Sequence, residues 1–193
     1  MDQPRRLVLA SGSQYRKELL GRLGLPFESF SPDIDETPLA GEAPADTALR
    51  LSLLKAKAAA HRGELIIGCD QVASCRGRRY GKPGNHENAA RQLRELSGNT
   101  ADFHTAVSVL DTKKDRHGSR VVLCRVVFRT LDESRIQAYL EREKPYDCAG
   151  AAKSEGLGIT LISRIETEDP TSLIGLPLIA LTELLERAGL SVL

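Results

Sequence analysis

Four stretches of this chain carry residue types that could do chemistry. The first is Ser11-Gly12-Ser13, which breaks the apolar run Leu7-Val8-Leu9-Ala10 and leads into Arg16 and Lys17. A strand-to-helix turn leaves backbone N–H groups unpaired at the positive end of the helix dipole, where an anion is favoured. Arg16 can fork onto a phosphate and Lys17 adds a point charge. The same residues also describe an ordinary serine-capped helix with solvated basic side chains. The second is Asp70-Gln71, a carboxylate and an amide directly after the buried run Leu65–Cys69. Ligands of α/β sheets gather at such strand ends, though a turn-forming aspartate reads the same way. The third is Glu36, in the acidic cluster Asp33-Ile34-Asp35-Glu36. With Asp70 it could hold Mg²⁺ or Mn²⁺, which take oxygen ligands and keep several waters; a solvated acidic loop is the alternative. The fourth is Lys82, after the basic, glycine-rich turn Arg76–Gly81. This is not a P-loop, because three residues rather than four separate the glycines and Pro83 follows the lysine. There is no G-x-S-x-G elbow and no H-E-x-x-H pair.

The elements that must position these residues alternate between strand and helix. Leu7–Ala10 suits a short buried strand, and a helix is expected from Gln14 to about Leu23, with Gly24 as its stop. Pro26, Pro32, Pro38 and Pro44 punctuate an extended stretch. A second helix is expected over 46–61 and a strand over Leu65–Cys69 that ends at Asp70. Asn85 can cap a third helix that Gly98 closes. Strands over 105–110 and 120–128 follow, joined by the polar 111–118 turn, then a helix over 132–143. A loop over 148–156, a strand over 158–165 and a helix over 177–188 complete the chain. The expected class is α/β, a mixed twisted sheet with flanking helices.

Length and composition fit one domain over residues 1–193, large enough for a sizeable core. Hydrophobic residues at 41% and charged residues at 27% exclude a disordered chain. No apolar run approaches the roughly 20 residues of a membrane-spanning helix. Met1–Arg6 leads into too short an apolar run for a signal-peptide core, so a cytoplasmic protein is expected. A net charge of +1 argues against stable nucleic-acid binding through a general positive field. Cys69, Cys75, Cys124 and Cys148 form no C-x-x-C pair and read as reduced thiols.

Taken together, these tracts resemble the Maf family of nucleoside triphosphate pyrophosphatases. The resemblance rests on Leu9–Lys17, Asp35-Glu36-Thr37-Pro38, Leu53-Leu54-Lys55-Ala56, Ile67-Gly68-Cys69-Asp70-Gln71 and Gly81-Lys82-Pro83. It continues through Ser97-Gly98-Asn99, Cys148-Ala149-Gly150, Lys153-Ser154-Glu155-Gly156 and Gly175-Leu176-Pro177-Leu178. It implies an elongated two-lobed, inosine triphosphatase-like fold around a central cleft, and often a homodimer. It implies cleavage between the α and β phosphates with a divalent metal cation (Mg, Mn or Co), so that modified nucleotides stay out of nucleic acids. It assigns Asp70, Glu36 and Lys82 to catalysis, with Asp70 as proton acceptor or metal ligand, and Ser11, Ser13, Arg16 and Lys55 to the phosphates. The chain departs from the family pattern at Gln14, where Pro is usual, at Lys17, where Arg is usual, and at Leu54, where an acidic residue is usual.

Within that resemblance, Tyr15, Gln71 and Glu155 are similar to the branch that prefers 7-methyl-GTP over the branch that takes dTTP and UTP. Methylation at N7 puts positive charge on guanine, and an aromatic face attracts a cation by about 0.5–2 kcal/mol. Glu155 can accept the N1–H and N2–H of guanine, an edge that thymine and uracil lack. The alternatives are a dTTP/UTP or broad-specificity pyrophosphatase, and a non-catalytic regulator of cell division.

Overall fold

The computed structural model describes residues 5–193; residues 1–4, most of the Met1–Arg6 start, lie outside the described residues. The elements are β1 (Leu7–Ala10), α1 (Gln14–Gly21), β2 (Phe27–Ser29), α2 (Pro44–Ala58), β3 (Leu65–Cys75) and β4 (Arg78–Tyr80). Then come α3 (His86–Leu96), β5 (Thr100–Asp111), β6 (Arg116–Phe128), α4 (Glu133–Glu143), β7 (Ile162–Thr167) and α5 (Leu178–Arg187). The strands form one mixed sheet in the order β2-β1-β3-β5-β6-β7, with β4 paired to β3. β1 runs parallel to β2 and to β3, while β3–β4 and β6–β7 are antiparallel. The α/β class with a mixed sheet is therefore what the chain adopts.

The chain divides into two compact units. One comprises the residues up to Asp70, Thr105–Val122 and Asp169–Leu193; the other comprises Gln71–His104 and Leu123–Glu168. In the first, both faces of the sheet are covered, so β1 is apolar throughout rather than alternating. Leu7 and Leu9 pack with Leu19, Leu20, Leu181 and Leu185 of α1 and α5. Val8 and Ala10 turn to the other face, where they meet Ala56 of α2 and Ile66 of β3. Gly68 sits on that second face, and a Cβ there would strike the Ser52 carbonyl and Ala56. Glycine thus lets α2 lie hard against β3, which brings Lys55 beside the next residue on the same face, Asp70.

In the second unit, Asn85 and Asp132 cap α3 and α4 by accepting from the N–H of Asn88 and Arg135. Leu93, Leu96, Ile136 and Leu140 of these helices are buried, as are the sheet residues Phe103, Val126 and Phe128, and α3 packs against α4.

Several boundaries differ from the sequence reading. β3 does not end at Asp70: it runs to Cys75, because Ala73–Cys75 pair with Arg78–Tyr80 in a hairpin whose Arg76-Gly77 turn has positive φ at both residues. β5 begins at Thr100 and β6 at Arg116, so the connecting turn is shorter than expected. The expected strand over 158–165 opens instead as a 3₁₀ turn, Leu157–Leu161, and the strand is Ile162–Thr167. α1 stops at Gly21, and Ser13, although its N-cap residue, makes no side-chain cap hydrogen bond. Among the described residues no helix is long and apolar enough to cross a membrane, and none of the four cysteines is in a disulfide.

Candidate functional site

In the first unit, β3 delivers Asp70 and α2 delivers Lys55 to one point. Lys55 Nζ donates to Asp70 Oδ1 at 2.6 Å and reaches Glu36 Oε1 at 2.8 Å. The side chains of Asp70 and Lys55 are each only 9% exposed, whereas Glu36 is 58% exposed, so the ammonium joins a buried carboxylate to one at the solvent edge. Asp70 Oδ2 has no hydrogen-bond partner among the described residues. Burial pushes the Asp70 carboxyl above the ordinary aspartate range, against the opposing pull of Lys55 and Arg16. A carboxylate held in this way is a better proton acceptor than an exposed one.

Glu36 is placed by the residues around it. Thr37 N–H donates to Asp35 Oδ1 at 2.9 Å, and the Thr37 carbonyl accepts from Arg50 Nη2 at 3.1 Å. Arg50 is itself forked onto Glu42, at 2.6 Å and 2.8 Å, which holds the Glu42 carboxyl down at about 2. Two residues of one helix, Arg50 and Lys55, therefore fix the acidic segment against Asp70.

The serine turn forms the second part of the cluster. Ser11 Oγ accepts from Ser13 N–H at 3.2 Å and from Arg16 Nη1 at 3.3 Å. Arg16 Nε donates to the Gly175 carbonyl at 2.9 Å, and the same oxygen accepts the Cys69 thiol at 3.0 Å. Ser13, the N-cap residue of α1, makes no side-chain cap hydrogen bond, and the positive end of a helix dipole favours an anion. Cys69 is fully buried, and burial raises its thiol away from the thiolate form. Gly175 stands where φ is +128°, a conformation other residues rarely adopt. The 169–177 segment that carries it is anchored by Asp169, which accepts from Thr171, Ile179 and Ala180 N–H. Sequence reasoning gave Asp169 no role and named Gly175 only within the Gly175-Leu176-Pro177-Leu178 tract, with no contact assigned to it.

The expected residues thus fall into groups. Ser11, Ser13, Arg16, Glu36, Lys55 and Asp70 come together in the first unit, with Tyr15 half-buried on α1. Gln71, Lys82 and Glu155 belong to the second unit. Gln71 lies within β3, half-buried, and Lys82 and Glu155 are exposed on loops. The Lys82 loop is held by α3: Gln92 Nε2 donates to the Gly81 carbonyl at 3.1 Å and Asn88 Nδ2 to the Pro83 carbonyl at 3.0 Å.

Among the described residues there is no cluster of three or more His, Cys, Asp or Glu that could hold a metal ion. The fit to a divalent cation rests on Glu36 and Asp70 alone. Two carboxylates and one ammonium leave a net negative charge, and Mg²⁺-like ions bind through one or two carboxylates plus substrate phosphates. Such a donor set would suit a cation that arrives with a phosphate-bearing ligand rather than one caged by protein.

The family model for the Maf-like proteins matches residues 6–188, and the chain belongs to that family. A 7-methyl-GTP pyrophosphatase of Bordetella pertussis is 56% identical over 189 residues, covering 97% of this chain and 94% of that protein. The 7-methyl-GTP pyrophosphatase of Cupriavidus pinatubonensis is 57% identical over 186 residues, covering 95% and 94%. That of Thiobacillus denitrificans is 54% identical over 189 residues, covering 97% and 94%. A solved HAM1 protein from Coxiella burnetii is 19% identical with a TM-score of 0.46, over 81% of this chain and 98% of that chain.

Proposed function

We propose that the protein is a nucleoside triphosphate pyrophosphatase that hydrolyses 7-methyl-GTP to 7-methyl-GMP and pyrophosphate. The observation that carries this reading is the Asp70–Lys55–Glu36 cluster, in which one carboxylate is buried, raised and left with a free oxygen. The names of the relatives support the substrate.

The chemistry follows from the charges. A triphosphate carries about four negative charges, and a protein of net charge +1 must neutralise them locally. Arg16 and the N-terminus of α1 are read as the phosphate contacts, Lys55 orients Asp70 through its 2.6 Å hydrogen bond, and Lys82 is read from the family resemblance as a further phosphate contact. Asp70 Oδ2 accepts a proton from water as that water attacks at the α–β anhydride; the bridging oxygen leaves with pyrophosphate. A divalent cation held by Glu36 and Asp70 would supply further charge stabilisation on the phosphates. Tyr15 is read as the face for the cationic base, Gln71 as a polar contact, and Glu155 as the acceptor for the guanine edge.

A panel of 7-methyl-GTP, GTP, dTTP and UTP, assayed with Mg²⁺, Mn²⁺ or Co²⁺, tests the reading. Pyrophosphate and 7-methyl-GMP are expected, with 7-methyl-GTP turned over fastest. Release of orthophosphate, or equal turnover of dTTP and UTP, rejects it.

A further inference from the structure

Glu155 has one hydrogen bond among the described residues, from the Ser154 hydroxyl at 3.4 Å, and it is exposed. A carboxylate so loosely held at a loop tip would swing freely, and a swinging group discriminates poorly between bases. The loop beneath it is not loose. Glu143, the last residue of α4, accepts from Leu157 N–H at 2.6 Å and pairs with Lys153 Nζ at 3.0 Å, so one carboxylate grips the loop on both sides of Glu155. The Tyr139 hydroxyl, one turn earlier on α4, accepts from Lys153 N–H at 3.0 Å and donates to the Ala151 carbonyl at 3.0 Å.

Two glycines make this closure feasible. At Gly156 a Cβ would lie 2.7 Å from both carboxylate oxygens of Glu143. At Gly158 it would lie 2.6 Å from the Lys153 backbone nitrogen. Gly158 passes so close to the Lys153 backbone that only glycine fits there, and Gly156 leaves room for the Glu143 carboxylate against the loop. The Glu143 side chain is 11% exposed, and with Lys153 spent on it, Glu155 remains as the outward-facing acceptor of the loop.

We propose that Glu143, assisted by Tyr139, is a positioning residue for base recognition: it fixes the Lys153–Leu157 loop so that Glu155 meets the nucleobase in one orientation. This rests on the reading of Glu155 as the guanine-edge acceptor. Glu143 touches no substrate in this scheme and acts only through Glu155.

The test is steady-state kinetics of Glu143→Ala, Glu143→Gln, Glu155→Gln and the Glu143→Ala/Glu155→Gln double variant on 7-methyl-GTP and UTP. Loss of a charged hydrogen-bond anchor should cut the 7-methyl-GTP to UTP ratio of kcat/KM about tenfold in Glu143→Ala, through KM, with kcat within about twofold. Glu143→Gln, which keeps an acceptor for Leu157, should recover part of the ratio. The double variant should have the ratio of Glu155→Gln alone, since a positioning residue has nothing left to position. Equal losses on both nucleotides, or ratios that multiply in the double variant, would overturn the proposal. Should Glu143→Ala not fold, Tyr139→Phe gives the same readout with a smaller expected drop, and an unchanged ratio there also counts against it. Amide exchange separates this idea from the substrate reading. If wild type does not prefer 7-methyl-GTP, the substrate reading fails, but exchange at Lys153 and Leu157 should still quicken about tenfold or more in Glu143→Ala. Unchanged exchange refutes the positioning role for any substrate.

Discussion

Lys55 Nζ lies 2.6 Å from Asp70 Oδ1, and both side chains are almost wholly buried. Burial raises the Asp70 carboxyl above the ordinary value of 3.8, and Lys55 is the largest influence in the opposite direction. The group must be ionised to accept a proton, so activity falls as pH drops through its raised value. Removing the ammonium with Lys55→Met should move this acidic limb higher still, because Lys55 is what holds the carboxyl down. A kcat/KM profile from pH 4 to pH 9 reads it, and an unmoved limb would mean that another group sets it.

Asp70→Asn should abolish most turnover without unfolding the chain. A positioned base contributes roughly 10²–10⁴-fold, and kcat should fall within that range. Stability has the opposite sign from the usual aspartate. A folded value raised above the unfolded one means that the protonated form favours folding, and this contribution is lost as pH rises through the raised value. At pH 7 the buried charge is therefore a cost, and Asn removes it while Lys55 keeps Glu36. Thermal denaturation should give a Tm equal to or above that of wild type; a clear fall would show that the ion pair outweighs its burial.

Much of this arrangement was legible in the chain, and the rest was hidden for identifiable reasons. The strand at Leu7–Ala10, the Asn85-capped helix and the α5 helix follow from local pattern: an apolar run in the first, an Asn cap with Gly98 beyond the end in the second, and an apolar stripe with Gly189 beyond the end in the third. Asp70 was misplaced at a strand end because a charge inside a strand looks like a terminator. Its compensation by Lys55 comes from fifteen positions earlier, on another element. β2 is three residues long and is a strand only by pairing with β1, so no periodicity announces it. The polar residues Asp102 and His104 likewise masked the first half of β5. The types of the candidate residues were readable in sequence; the contacts that orient them, Arg50 on the Thr37 carbonyl and Arg16 on the Gly175 carbonyl, were not. Spacing does not encode them.

Gly68→Ala should damage the cluster from behind. The added methyl would overlap the Ser52 carbonyl and crowd Ala56, both backbone-anchored, so α2 has to lift from β3. Overpacking of this kind costs about 1–3 kcal/mol. The urea midpoint should fall accordingly, and kcat should fall with it because Lys55 rides on the displaced helix. Retention of wild-type kcat in a destabilised variant would separate helix packing from the position of Lys55.

Gly175→Ala tests how Arg16 is aimed. A Cβ at this position meets Arg16 only at ordinary contact distances of 3.6 Å and 3.8 Å, so crowding is not the issue. The backbone is, because φ of +128° strains an L-residue by about 1–3 kcal/mol. Relief of that strain rotates the peptide whose oxygen receives both Arg16 Nε and the Cys69 thiol. KM for the nucleotide should then rise about tenfold, as expected when a charged phosphate contact loses its orientation. Cys69→Ala provides the comparison, since it removes one donor to the same carbonyl and leaves the backbone in place. Its KM should stay within about twofold of wild type, given the weakness of a thiol donor. If Cys69→Ala raises KM as much as Gly175→Ala does, the carbonyl is held by the thiol rather than by the glycine conformation.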